Sequence, residues 1–204
     1  MIIPRNVAQS LLQPIHHLLH EIPMCAWADW NNDKLYSPAV RCRHTPRGRA
    51  NIIWDNMVFH AKRLLTGVKG VRIDEDGDLF LIFYKERVSL RFKKFDDDKR
   101  PHNVQTQQSI DFFGQQELPH MPAHVSRLVT GYQLNALQDA IKSIMVICTD
   151  GSSNAWDWEL EGPAILQVFK LPVKPATVQP QPQKSRVRIK KPELKLEKGD
   201  EGKN

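Results

Sequence analysis

The sequence predicts an α+β fold, with N-terminal helices followed by antiparallel β-hairpins and a basic C-terminal tail. Helical apolar spacing marks two stretches of the first 67 residues, and strand alternation broken by tight-turn dipeptides marks residues 70–160. Helices first and hairpins after is the order of an α+β domain, not of a doubly wound parallel sheet.

Taken in order, Val7, Leu11, Leu12, Ile15, Leu18 and Leu19 recur at helical spacing between Asn6 and His20. Pro14 inside that pattern either kinks the helix or moves its start to about Gln13. Residues 23–44 scatter Trp27, Trp30 and Tyr36 among Asn, Asp and Pro and read as irregular or short-strand structure. Thr45-Pro46 then sets a hydroxyl N-cap before a proline at the first helical position. Ile53, Met57, Ala61, Leu64 and Leu65 follow on one face, and Gly67 ends the helix.

Asp76-Gly77 is a turn dipeptide between Val71-Arg-Ile73 and the apolar run Leu79 to Tyr84. Val88, Leu90 and Phe92 alternate with Ser89, Arg91 and Lys93, the pattern of a half-buried strand. Gln105 to Gln116, with Ile110, Phe112 and Phe113, fits a short helix, and Pro119 to His124 a loop. Ile141 to Cys148, the turn Asp150-Gly151 and Trp156-Asp-Trp-Glu-Leu160 form a hairpin, and Ala164 to Phe169 offers a further strand.

The domain is expected to span 1–171. From Pro172 onward five prolines, no aromatic residue and no sustained apolar period predict a disordered tail over 172–204. The tail holds nine basic and four acidic residues, net +5, out of +6 for the whole chain of 204 residues. The first 171 residues hold 20 basic and 19 acidic side chains, net +1. The overall charge therefore describes the tail.

Composition excludes several classes. A 41% apolar fraction supports a core, and no run approaches the roughly 18–20 apolar residues that span a bilayer. Met1-Ile-Ile-Pro-Arg5 lacks the basic and apolar regions of a signal peptide. Cys25, Cys42 and Cys148 form no disulfide framework, which fits a reducing, cytoplasmic setting.

Arg41, Arg43, Arg47 and Arg49 crowd around His44 just before the well-capped helix. There, guanidinium donors and a helix N-terminus would both favour phosphate. Arg91, Lys93, Lys94, Lys99 and Arg100 could extend that surface, interrupted by Asp96 to Asp98. In the tail, Lys184, Arg186, Arg188, Lys190 and Lys191 alternate with small or apolar residues. They suit a phosphate backbone, an acidic protein or a sheet edge. These nine residues, Arg41 to Arg49 and Lys184 to Lys191, are the candidate nucleic-acid contacts.

His16 and His20 lie one helical turn apart, a spacing at which two imidazoles can share a metal. His17 stands where a metalloprotease needs its glutamate, so that chemistry is not expected. Cys25, Cys42 and His44 lack a second close pair to complete a zinc set. Asp74, Glu75, Asp76, Asp78 and Glu86 with Lys93 suggest a restriction-type nuclease, but Arg91 occupies the position that reaction gives to an acid. Hairpin punctuation accounts for Asp76-Gly-Asp78 without catalysis. No catalytic residue, metal or cofactor is assigned.

Leu90-Arg-Phe-Lys-Lys-Phe-Asp96, Asn103-Val-Gln-Thr-Gln-Gln108, Phe112 with Gln115 or Gln116, and Gly131-Tyr132 with Leu134 resemble motifs of a bacterial protein family encoded near toxin–antitoxin or phage-resistance genes. The resemblance spans roughly Arg47 to Leu160 and implies an antitoxin-like or regulatory partner protein, without assigning a role to any residue. The expectation is a non-enzymatic binding protein with a protein partner and basic segments able to meet nucleic acid. A stand-alone nucleic-acid binder and the nuclease are the alternatives.

Overall fold

A computed structural model describes residues 2–76, 79–101, 106–116, 118, 121, 122 and 124–162. The chain divides into two units, Met1–Leu166 and Gln167–Asn204, and every described residue lies in the first. The expected tail and the strand over Ala164 to Phe169 fall outside the described residues.

Helix α1 (Arg5–Leu12) tightens into a 3-10 turn (Gln13–Ile15) and resumes as α2 (His16–Trp30). Pro14, which cannot donate a backbone hydrogen bond, sits in that turn. The irregular stretch expected from residue 23 instead begins after Trp30, because α2 runs on through Pro23. Leu19, Ile22, Ala26 and Trp30 continue one buried stripe across it, and burial of that stripe offsets the hydrogen bond lost at the proline.

A short α3 (Pro38–Arg41) leads to α4 (Pro46–Leu65). As the sequence indicates, the Thr45 hydroxyl accepts a hydrogen bond from the Gly48 N–H at 3.1 Å. Ile53, Met57, Ala61 and Leu65 form the buried face of α4.

The six strands β1 (Val71–Asp76), β2 (Leu79–Tyr84), β3 (Val88–Phe95), β4 (Ser126–Leu134), β5 (Ile141–Asp150) and β6 (Ser153–Glu159) lie in sequence order in one sheet. Four neighbouring pairs are antiparallel, but β3 and β4 run parallel, from Val88↔Ser126 to Phe95↔Gln133. Hairpins alone therefore do not describe the fold. A parallel pair needs a crossover, and the connection from β3 to β4 carries α5 (Gln107–Phe113), capped by Thr106.

Each face of the sheet has its own core. Ile82, Leu90, Phe92, Leu128, Tyr132 and Val146 pack with α1, α2 and α4. Leu81, Phe83, Val129, Met145 and Ile147 pack with Phe112 of α5, Met121 and Val125. Half-burial of β3 is thus only part of its environment: Ser89, on its second face, is also fully buried and donates towards the Met121 sulfur at 3.6 Å.

Candidate nucleic-acid interface

The four arginines before and within the start of α4 separate into two that brace and two that project. Arg41 donates to the backbone oxygens of Tyr36 (2.9 Å) and Trp30 (3.4 Å) and pairs with Asp33 at 2.7 Å. It thereby ties the end of α2 to α3. Arg49 donates to the Gln138 carbonyl (3.0 Å) and side chain (2.6 Å), fastening α4 to the β4–β5 connection. Arg43 and Arg47 are exposed. The loop between them is held further by His44, whose ring stands edge-on to Trp30 at 5.8 Å.

Strand alternation divides the basic surface expected around β3. Lys94 lies near Arg49; burial, and then that guanidinium, push its ammonium down from the ordinary value. Arg91 and Lys93 instead face the α5 side. The Arg91 guanidinium stands 5.7 Å over the Phe112 ring, and burial lowers its pKa. Burial first, and the nearby Arg91 second, push Lys93 down to about 8. Arg127 of β4, across from Ser89 in the parallel ladder, is 1% exposed.

Arg127 was not singled out by its sequence context, although the alternation of Leu128, Thr130, Tyr132 and Leu134 with Arg127, Val129 and Gln133 is the available signal. Its backbone is clamped by Gln115, whose amide accepts from the Arg127 N–H (3.0 Å) and donates to the Arg127 and Thr149 carbonyls (2.7 and 3.2 Å). Arg100 lies apart, on a cleft of about 450 Å³ that also involves Ser109, Phe113, Thr149 and Ser152.

His16, His17 and His20 lie in the first turns of α2. His16 Nδ1 meets the Gln13 carbonyl oxygen at 2.8 Å, His17 is exposed, and burial followed by repulsion from His16 lowers the pKa of His20. Among the described residues no group of three or more His, Cys, Asp or Glu side chains is placed to hold a metal. Cys25, Cys42 and Cys148 are all thiols, and burial raises the pKa of Cys148 to about 11.

Three of the carboxylates suggested for a nuclease, Asp74, Glu75 and Glu86, pair with cations. Arg72 pairs with Glu86 through two nitrogens at 2.9 and 3.0 Å and reaches Asp74 at 3.3 Å, while Lys62 pairs with Glu75 at 2.6 Å. The Arg72 hydrogen bond holds Glu86 below the ordinary carboxylate range. Asp76 belongs to β1 and Lys93 to β3, with β2 between them, a lateral strand separation of about 10 Å. Asp78 and the tail residues Lys184, Arg186, Arg188, Lys190 and Lys191 lie outside the described residues.

Comparison of the chain with protein-family models, curated proteins and solved structures gives no match. Among the described residues, no helix is long and apolar enough to cross a membrane.

Proposed function

We propose that this chain is a non-enzymatic binding protein that meets nucleic acid through Arg43, Arg47 and the basic segment Lys184 to Lys191, while its nearly neutral body engages a protein partner. The carrying observation is the division of labour among the arginines: Arg41 and Arg49 fasten the segment that bears exposed Arg43 and Arg47. A fastened backbone segment leaves less ordering cost when its arginines meet phosphate, and each contact releases counterions. The resemblance over roughly Arg47 to Leu160 supports an antitoxin-like or regulatory setting, for which co-purification with the neighbouring gene's product is the direct assay.

Fluorescence anisotropy with duplex DNA and single-stranded RNA between about 50 and 200 mM salt tests the nucleic-acid half. A steep loss of affinity with salt is expected. Arg43→Ala with Arg47→Ala should reduce the magnitude of the slope of log K against log salt by about two, at roughly one per lost phosphate contact. Truncation after Leu171 should weaken binding to every sequence. Salt-independent binding, or affinity unchanged in both variants, would overturn the assignment.

A further inference from the structure

The connection between β4 and β5 carries the most exposed large apolar side chain among the described residues, Leu137 at 81%. Single surface leucines are ordinary, but this one rides on a turn that is fixed from several directions. The Asn135 N–H donates to the Ala140 carbonyl at 3.0 Å, and the Gln138 N–H to the Asn135 carbonyl at 2.9 Å. The Asn135 side chain donates to the Asp139 carboxylate at 2.6 Å and accepts the Asp139 N–H at 3.1 Å. Gln138, next to Leu137, adopts φ +56°, a left-handed conformation that is costly for any residue but glycine. Arg49 holds it there through both its carbonyl and its side-chain oxygen, at 3.0 and 2.6 Å.

The apolar tip is thus fastened to the N-terminal end of α4, the end that bears exposed Arg47 and follows exposed Arg43. Lys94 also lies near Arg49. Asp139 is the acid of the turn, and the Asn135 amide already occupies it. A leucine presented on a fixed turn needs little further ordering to enter an apolar slot, and neighbouring guanidiniums suit the phosphates that flank one.

We propose that Leu137 is an apolar wedge that enters a base step of duplex DNA while Arg43 and Arg47 hold the adjacent phosphates. Leucine is among the side chains that partly unstack a step and kink the duplex, so that the bent DNA meets more protein surface. The role of Leu137 rests on the nucleic-acid reading of Arg43 and Arg47 and adds the form of the ligand: a duplex that yields at a pyrimidine–purine step.

The full-length protein is titrated into a short duplex carrying 2-aminopurine, a base whose fluorescence stacking quenches, at TA and CA steps. Anisotropy of an end label on the same duplex reports occupancy. Bound wild-type protein should brighten the 2-aminopurine. Leu137→Ala should abolish that brightening and weaken binding by only about three- to tenfold, because burial of the wedge and the unstacking it causes largely offset each other. Its salt slope should stay at the wild-type value, since no phosphate contact is lost. Leu137→Met should restore the brightening.

Salt-dependent binding without brightening, or brightening that survives in Leu137→Ala, overturns the wedge and leaves the arginine interface standing. Absence of duplex binding at low salt overturns the duplex reading and the wedge with it. Should Leu137→Ala release a co-purifying protein while duplex binding and brightening stay unchanged, the tip belongs to that protein and the wedge is overturned. Leu137 is largely in water, so an unchanged urea midpoint confirms that the variant is folded.

Discussion

On the helix side of the sheet, β3, β4 and β5 present Leu90, Phe92, Leu128, Tyr132, Ile144 and Val146, all buried against α1, α2 and α4. On the α5 side the same strands present Ser89, Arg91, Lys93, Arg127, Gln133 and Ser143 among the apolar residues of the second core. Two long helices can bury a continuous apolar stripe, so area removed from water stabilises the first face with little demand on geometry. The second face must pair its polar groups one by one. Gln115 closes the ladder beside Arg127, and Gln133 accepts from Ser143 at 3.2 Å while donating to the Asp96 carbonyl at 2.9 Å. A helix-covered face is specified by volume and a polar face by hydrogen bonds.

The severest test strikes the strand pair that both faces share. Gly131 lies opposite Lys93 in the parallel ladder, and a Cβ there would fall 1.7 Å from the Lys93 carbonyl oxygen. Backbone cannot yield as a flexible side chain can, so Gly131→Ala must push β3 and β4 apart and disturb both cores. Urea denaturation should show a loss of about 3 kcal/mol or more. A loss under about 1 kcal/mol would mean that the two strands adjust independently of the layers they carry.

Lys93 offers the next largest effect and acts on the second face alone. Its pKa falls from the ordinary 10.5 to about 8 in the folded chain, through burial and then Arg91. Between those values the unfolded chain binds more protons than the folded one, so stability should increase as pH rises from about 8 towards 10.5. Below pH 8 both states are protonated and the full cost of the buried charge is present. With allowance for the solvent that Lys93 still meets, the gain is on the order of 2 kcal/mol. Lys93→Met should flatten this rise in pH-dependent urea midpoints. An unchanged profile would assign the alkaline gain to another group.

These contrasts also show what the sequence made legible. Periodicity located α4, α5 and the β1–β2 and β5–β6 hairpins because each carries local signals: the Thr45-Pro46 cap, turn dipeptides and strict alternation. Pro23 misled because proline's local preference was outweighed by a tertiary stripe from Leu19 to Trp30. The parallel β3–β4 pairing depends on a long connection whose direction no local pattern encodes. Among the candidate arginines, spacing identified the cluster but could not separate Arg41 and Arg49 from exposed Arg43 and Arg47, because the bracing partners lie 5 to 11 positions from Arg41 (Tyr36, Asp33 and Trp30) and 89 from Arg49 (Gln138).

The smallest expected effect asks whether the helix-side face is as apolar in energy as it is in composition. Tyr132 is fully buried there, 6.5 Å from the Trp27 ring, and its hydroxyl has no hydrogen-bond partner among the described residues. Burial raises its pKa, so the group is a neutral phenol whose desolvated O–H opposes folding. Tyr132→Phe keeps the ring, the packing against Trp27 and almost all of the volume while removing that donor. Stability should stay level or rise by up to about 1 kcal/mol, read as a shift in urea midpoint with unchanged slope. A loss of about 1 kcal/mol or more would reveal a partner for the hydroxyl and give this face a polar specification like that of its opposite.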